Sequence, residues 1–230
     1  DDYWTNKPES DDATLQGPAR DANGDIVCNG RFPDMKGLVD DIHAKGLKVG
    51  IYSSPGTLTC GRCVGSYGHE AQDAKRYADW GFDYLKYDWC WYSEKAFGEG
   101  QWRWIHPYWI MGRALRQQSR DILFSLCEYG CENVSAWGNL VHGQSWRTTG
   151  DVFDTWPSIS MAIEKQRRLF PYSGPGAWND PDMLCVGKMA WNGFQGSRLA
   201  PNEQYTHLSL WALVASPLMI GCDMTKLDAF

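Results

Sequence analysis

Residues 70–88 read EAQDAKRYADWGFDYLKYD. Glu70 to Trp80 holds helix formers with apolar residues at helical spacing, and Gly81 is a natural stop. Asp83 to Asp88 (DYLKYD) then alternates as a strand, so the segment reads as a helix feeding directly into a strand.

The same unit recurs on both sides. Upstream, Met35 to Lys45 predicts a helix closed by Gly46, and Leu47 to Tyr52 (LKVGIY) a strand. Downstream, His106 to Gln118 predicts a helix, Ile122 to Cys127 (ILFSLC) a strand, and Ser145 to Val152 a short strand. Trp156 to Phe170 then predicts a helix, Ala177 to Leu184 a strand, Asn202 to Ala215 a helix and Pro217 to Cys222 a last strand. Strands alternating with helices mean an α/β fold with a parallel sheet, and the regular order points to an eight-stranded barrel rather than an open sheet. Asp11 to Phe32 is polar and too long for a turn, and is expected to loop over the barrel mouth.

Composition bounds the function. The chain has 230 residues and a net charge of −6, which offers no basic face for phosphates and argues against nucleic acid or an anionic membrane as partners. No apolar stretch approaches the roughly 20 residues a membrane span needs. The chain opens at Asp1 inside a motif and without Met, so it is expected to be a piece of a longer precursor. Its eight cysteines, with no paired C-x-x-C, predict disulfides and an oxidising compartment. Among 13 tryptophans, Trp4, Trp89 and Trp178 lie beside strand-end carboxylates, where an aromatic face can stack on a sugar ring.

In a parallel barrel the carboxyl ends of the strands face the active site. Period-two counting sets Lys86 with Asp88, Arg147 with Thr149 and Asp151, Trp178 with Asp180 and Asp182, and Tyr52 with Ser54. Asp1, Asp2 and Glu128 complete the strand-end set. Paired carboxylates flanked by Lys and Arg suit glycoside hydrolysis, one attacking the anomeric carbon and the other protonating the leaving oxygen. Lys86 is expected to favour ionised Asp88, and partial desolvation to suit Asp151 as the acid.

Other chemistries lack their signatures. Asp180-Pro181-Asp182 and Asp1-Asp2 could ligate Mg²⁺ or Ca²⁺, but no histidine sits in a metal-binding motif, and neither a catalytic metal nor a cofactor is expected. The glycines of 61–68 and 174–176 match no phosphate loop, and no G-x-S-x-G elbow is present.

Six ordered motifs, Asp1-Asp-Tyr-Trp4, Gly50-Ile-Tyr-Ser53, Tyr84-Leu-Lys-Tyr-Asp-Trp-Cys90, Cys127-Glu-Tyr-Gly130, Trp146-Arg-Thr-Thr-Gly-Asp151 and Trp178-Asn-Asp-Pro-Asp-Met-Leu184, resemble glycoside hydrolase family 27, the α-galactosidase family. The resemblance implies a (β/α)8 TIM barrel that is incomplete here, with the first strand, most of the second, the last helix and a C-terminal β-sandwich missing from 1–230. It implies a secreted, periplasmic or lysosomal retaining α-galactosidase acting on α-galactoside carbohydrate, with Asp88 as nucleophile, Asp151 as acid/base and Asp180 not catalytic.

By the same resemblance Asp1 and Asp2 hold the galactose 4- and 6-hydroxyls, Lys86 the 3- and 4-hydroxyls, and Arg147 and Asp182 the 2-hydroxyl side, while Tyr52 and Trp178 line the pocket. Glu128 and Cys131, at the sugar's 2-position, favour a free hydroxyl over an N-acetyl group. The alternatives within the family are an α-N-acetylgalactosaminidase and a β-L-arabinopyranosidase, and outside catalysis a galactose-binding barrel. The family's pairing implies a Cys60–Cys90 disulfide. Tyr3 stands where many members have Cys, and Ser54 where many have Asp; Cys127 lacks its usual partner, with Gly143 in that region.

Overall fold

In a computed structural model that describes residues 2–93, 95–193 and 195–227, the predicted strand–helix repeat is present. It divides into two units, Asp1–Glu128 with Trp137–Gln144, and Tyr129–Ala136 with Ser145–Phe230.

The first unit runs α1 (Met35–Ala44), β1 (Gly50–Ser53), α2 (Glu70–Trp80), β2 (Tyr84–Asp88), α3 (Gly100–Arg116) and β3 (Leu123–Cys127). Asp34 starts α1 by accepting the Gly37 N–H at 2.8 Å, which satisfies one of the orphan donors of the first turn. Gly81 ends α2 in the left-handed conformation (φ 93°), a backbone shape that Gly adopts without a Cβ penalty. The strands pair in parallel, Gly50 with Tyr84 through Ser53 with Tyr87, and Tyr84 with Leu123 through Asp88 with Cys127. Leu85 and Tyr87 are fully buried, and the Tyr87 ring packs 5.9 Å from both Tyr108 of α3 and Phe124 of β3. Lys86 and Asp88 therefore share the opposite face of β2. Truncating a ring such as Phe124 would cost about 3–5 kcal/mol.

Two boundaries in the first unit differ from the sequence reading by several residues. β1 starts at Gly50 rather than Leu47, because the Val49 N–H is drawn to the Asp83 carboxylate at 3.0 Å. Helix α3 starts at Gly100 rather than His106 and runs through Pro107. Pro107, the second residue of the predicted helix, is here interior, and its lost N–H bond is offset by burial of Tyr108, Met111 and Leu115.

The 11–32 segment is irregular, as expected, but fastened down. Arg20 forks onto buried Asp73 of α2 at 2.6 and 2.8 Å and donates to Gly65 O at 3.0 Å. A bidentate, largely buried pair of this kind fixes a loop in one place.

After β3 come short helical turns, Cys131–Asn133, α4 (Val134–Trp137) and Gly138–Val141. The second unit holds β4 (Ser145–Arg147), α5 (Trp156–Gln166), β5 (Trp178–Asp180), a small hairpin of β6 (Lys188–Met189) and β7 (Gln195–Gly196), and α6 (Pro201–Leu213). Strands β4 and β5 are parallel, Ser145 with Trp178 and Arg147 with Asp180. Val152, Ile159, Ala162, Leu184, Met189 and Trp211 form its core. Pro217 to Cys222 is not the regular strand predicted: it makes one parallel bridge, Leu184 with Ile220, and one antiparallel bridge, Met189 with Cys222. Among the described residues no helix is long and apolar enough to cross a membrane.

Candidate active site

Asp88 ends β2 with 7 % of its surface exposed. Its Oδ2 accepts a hydrogen bond from the Tyr52 phenol at 2.8 Å. Tyr52 is itself buried, and burial, then the neighbouring Asp88 charge, pushes its phenol far above the usual tyrosine range. The phenol therefore stays protonated and remains a donor. Lys86 Nζ lies 5.6 Å from the centroid of the Tyr52 ring, so the predicted face carries a cation, a phenol and a carboxylate together.

Beside them is the disulfide Cys60–Cys90, with a Cα separation of 5.1 Å. It ties the loop after β1 to the second residue past Asp88, and the Tyr52 hydroxyl lies 3.7 Å from Cys90 Sγ. Cys60, Asp88 and Cys90 bring metal-ligating atoms within 4.8 Å of one another, but the two sulfurs are bonded to each other and offer no thiolate to an ion.

Asp2 is held by the loop that follows β1. Its Oδ1 accepts from Thr59 Oγ1 and from the Tyr3 N–H, both at 2.8 Å, and its Oδ2 from the Gly61 N–H at 2.7 Å. Asp1, assigned with it, lies outside the described residues. Glu128 follows β3 and is fully buried.

In the second unit, Arg147 ends β4 almost completely buried, its guanidinium 2.9 Å from Asp182 and 3.2 Å from Asp151. Asp182 has φ 89°, a strained conformation for a residue with a Cβ. That turn aims its carboxylate back at the protein: Oδ1 accepts from the Met183 N–H, and Oδ2 from Val152 N–H at 2.9 Å as well as from Arg147. Assigned to the sugar's 2-hydroxyl side, Asp182 is thus also the anchor of the loop that carries Asp151. The Asp151 side chain is 67 % exposed, unlike the partly desolvated acid expected, because it stands on the loop beyond the last paired residue of β4. Cys131 is half-buried in the helical turn at Cys131–Asn133.

The tryptophans divide. Trp4 is core: its indole N–H donates to Tyr52 O at 2.7 Å and its ring meets Tyr77 and Trp80 edge-on. Trp89 stacks on Trp104 with ring centroids 4.3 Å apart. Trp178 opens β5 opposite Ser145, at the other end of the strand from Asp180. The sequence reading set it beside the strand-end carboxylates, whereas it is the first residue of a three-residue strand.

Contacts missed by the sequence reading also hold the loop that carries Asp151. Asp154, fully buried, accepts from Arg198 Nε and NH2 at 3.0 and 2.7 Å, from the Arg198 N–H at 2.8 Å and from Trp191 Nε1 at 3.2 Å. Burial would raise its carboxyl, but these hydrogen bonds outweigh it and bring it to about 2. Three residues after Asp151, it pins the same loop from its far end. No local motif marks it, since its partners lie some 40 residues away.

Comparison with known proteins agrees with these features. The family described as alpha galactosidase A matches residues 8–230. Alpha-galactosidase 2 of Arabidopsis thaliana is 45 % identical over 212 residues, covering 91 % of this chain and 50 % of the relative. Alpha-galactosidase I of Mortierella vinacea superposes with a TM-score of 0.83 at 33 % identity, over 98 % of this chain and 57 % of that one. An α-galactosidase of Saccharomyces cerevisiae solved with raffinose superposes with a TM-score of 0.81 at 33 % identity, over 91 % of this chain and 49 % of that one. The chain spans about half the length of the curated relatives it matches. Its strand-then-helix order and this likeness make the fold that of a (β/α)8 barrel, of which the chain carries a part. The chain belongs to the alpha galactosidase A (melibiase) family.

Proposed function

We propose that the protein, at its full natural length, is a retaining α-galactosidase that removes terminal α-linked D-galactose from oligosaccharides, polysaccharides or glycoconjugates. The observation that carries this is the Asp88 carboxylate, held by the Tyr52 phenol at the carboxyl end of β2, in a chain 45 % identical to a named α-galactosidase. The yeast relative's structure with raffinose, an α-galactoside, supports the substrate class.

Asp88 attacks the anomeric carbon while Asp151 protonates the departing glycosidic oxygen, giving a galactosyl ester on Asp88. Asp151, now a carboxylate, takes a proton from water, and the water displaces the ester from the opposite face, releasing α-galactose with retention. Asp1 and Asp2 read the 4- and 6-hydroxyls, Lys86 the 3- and 4-hydroxyls, and Arg147 with Asp182 the 2-hydroxyl side; Glu128 and Cys131 bound the 2-position, and Tyr52 lines the pocket. Charged hydrogen bonds suit the axial 4-hydroxyl, because its equatorial epimer leaves them unmade. Residues 1–230 belong to one catalytic barrel domain. The disulfide beside Asp88 supports an oxidising location, secreted, periplasmic or lysosomal.

Proton NMR of an aryl α-D-galactoside digest tests the reading. α-Galactose is expected as the first-formed anomer, with Asp88→Ala inactive. β-Galactose formed first overturns retention, and galactose binding without release favours a binding protein.

A further inference from the structure

We propose that Thr59 and Gly61 form a cradle that presets Asp2, making Thr59 a positioning residue for sugar selectivity; this rests on the reading of Asp2 proposed above. Thr59 is 1 % exposed. Its hydroxyl accepts the Cys63 N–H at 3.0 Å and donates to Asp2 Oδ1 at 2.8 Å. A hydroxyl has one proton, and an ionised carboxylate only accepts, so the rotor is fixed in this direction. The loop around it is closed by Thr59 N–H to Cys63 O at 2.8 Å and Arg62 N–H to Thr59 O at 2.9 Å, by the Leu58–Val64 bridge, and by the disulfide from Cys60 to Cys90.

Gly61 completes the cradle by having no side chain. A Cβ there would stand 2.7 Å from Asp2 Oδ2, inside contact distance, so only glycine brings its N–H to 2.7 Å of that oxygen. A carboxylate offers about four lone-pair directions. Thr59 and Tyr3 donate to Oδ1 and Gly61 to Oδ2, and the buried Cys63 thiol also faces this carboxylate, so both oxygens are placed before a sugar arrives. With Asp1 and Asp2 sharing O4 and O6, Asp2 reads one of the two from an oxygen whose position Thr59 and Gly61 set.

The test measures kcat/KM of the full-length protein on aryl α-D-galactoside and its 4-deoxy and 6-deoxy analogues, for the unsubstituted protein, Thr59→Val, Thr59→Ser and Gly61→Ala. On the parent galactoside Thr59→Val is expected to lose about tenfold or more, carried by KM, because a hydrogen bond to a charged group is removed; Thr59→Ser recovers to within roughly threefold. On the one deoxy analogue whose missing hydroxyl Asp2 reads, the Thr59→Val loss shrinks to near nothing, and on the other it persists. Gly61→Ala repeats the pattern and stands in if Thr59→Val fails to fold. An equal loss on all three substrates, or no loss with a native Tm, overturns the cradle as a selectivity device. Inactivity of the unsubstituted protein overturns the proposed function itself, and the role of Asp2 with it.

Discussion

Tyr52 and Asp88 meet across the β1–β2 pair with the phenol proton 2.8 Å donor-to-acceptor from Oδ2, although in register Tyr52 sits opposite Lys86. The long phenol reaches diagonally along the sheet to a carboxylate two residues further on. It crosses the face that Lys86 and Asp88 share, so one side chain brackets both.

Tyr52→Phe keeps the ring and removes the donor. Hydrogen bonds to charged groups contribute about 1.5–3 kcal/mol, so kcat/KM on an aryl α-galactoside is expected to fall by roughly ten- to a hundredfold with little change in Tm. An unaltered kcat/KM would show that the phenol does not hold Asp88 in its working position.

Arg147 serves two carboxylates and the Thr149 carbonyl from one planar fork. Lysine is a point charge on a flexible stem and cannot reproduce that geometry. Arg147→Lys is expected to release the Asp151 loop and lower kcat/KM by more than tenfold, and Arg147→Ala to leave buried Asp182 uncompensated at a cost of about 3–5 kcal/mol. Urea unfolding of both variants, with matched kinetics, checks the pair; equal stability of Arg147→Ala and the parent would refute it.

Asp154 gives a pH signature. Its folded carboxyl sits at about 2, below an ordinary unfolded value of about 3.9. A depressed pKa stabilises the fold above the unfolded value, and that stability is lost as pH falls through the folded one. The stability gap between the protein and Asp154→Asn is expected to be flat from pH 7 to 5 and to lose roughly half its size by pH 3. Unfolding midpoints across that range measure it, and a gap that is constant down to pH 3 would contradict the assignment.

The sequence exposed what is local. Helix α2 was legible end to end because Gly81 needs the left-handed conformation that glycine alone adopts freely, and the Lys86–Asp88 face followed from period two. What escaped depends on distant partners. Pro107 resembles a helix starter unless the burial of Tyr108 and Met111 is known. Pro217 to Cys222 has a strand's composition but only single bridges to Leu184 and Met189. At the site, the turn at Asp182 and the grip of Thr59 on Asp2 join residues that no spacing rule connects. Trp4, placed by its motif at the site, is held in the core by Tyr52 O and Tyr77.

The in-register pairing of β1, β2 and β3 makes these strands intolerant of length change. One residue deleted from Tyr84–Asp88 would swap Tyr87 into the row that Lys86 and Asp88 occupy and turn the carboxylate toward the helices. Divergence within β2 is therefore restricted to replacement of one side chain by another. The connecting loops tolerate insertion and deletion instead, because there the chain can grow without moving Asp88.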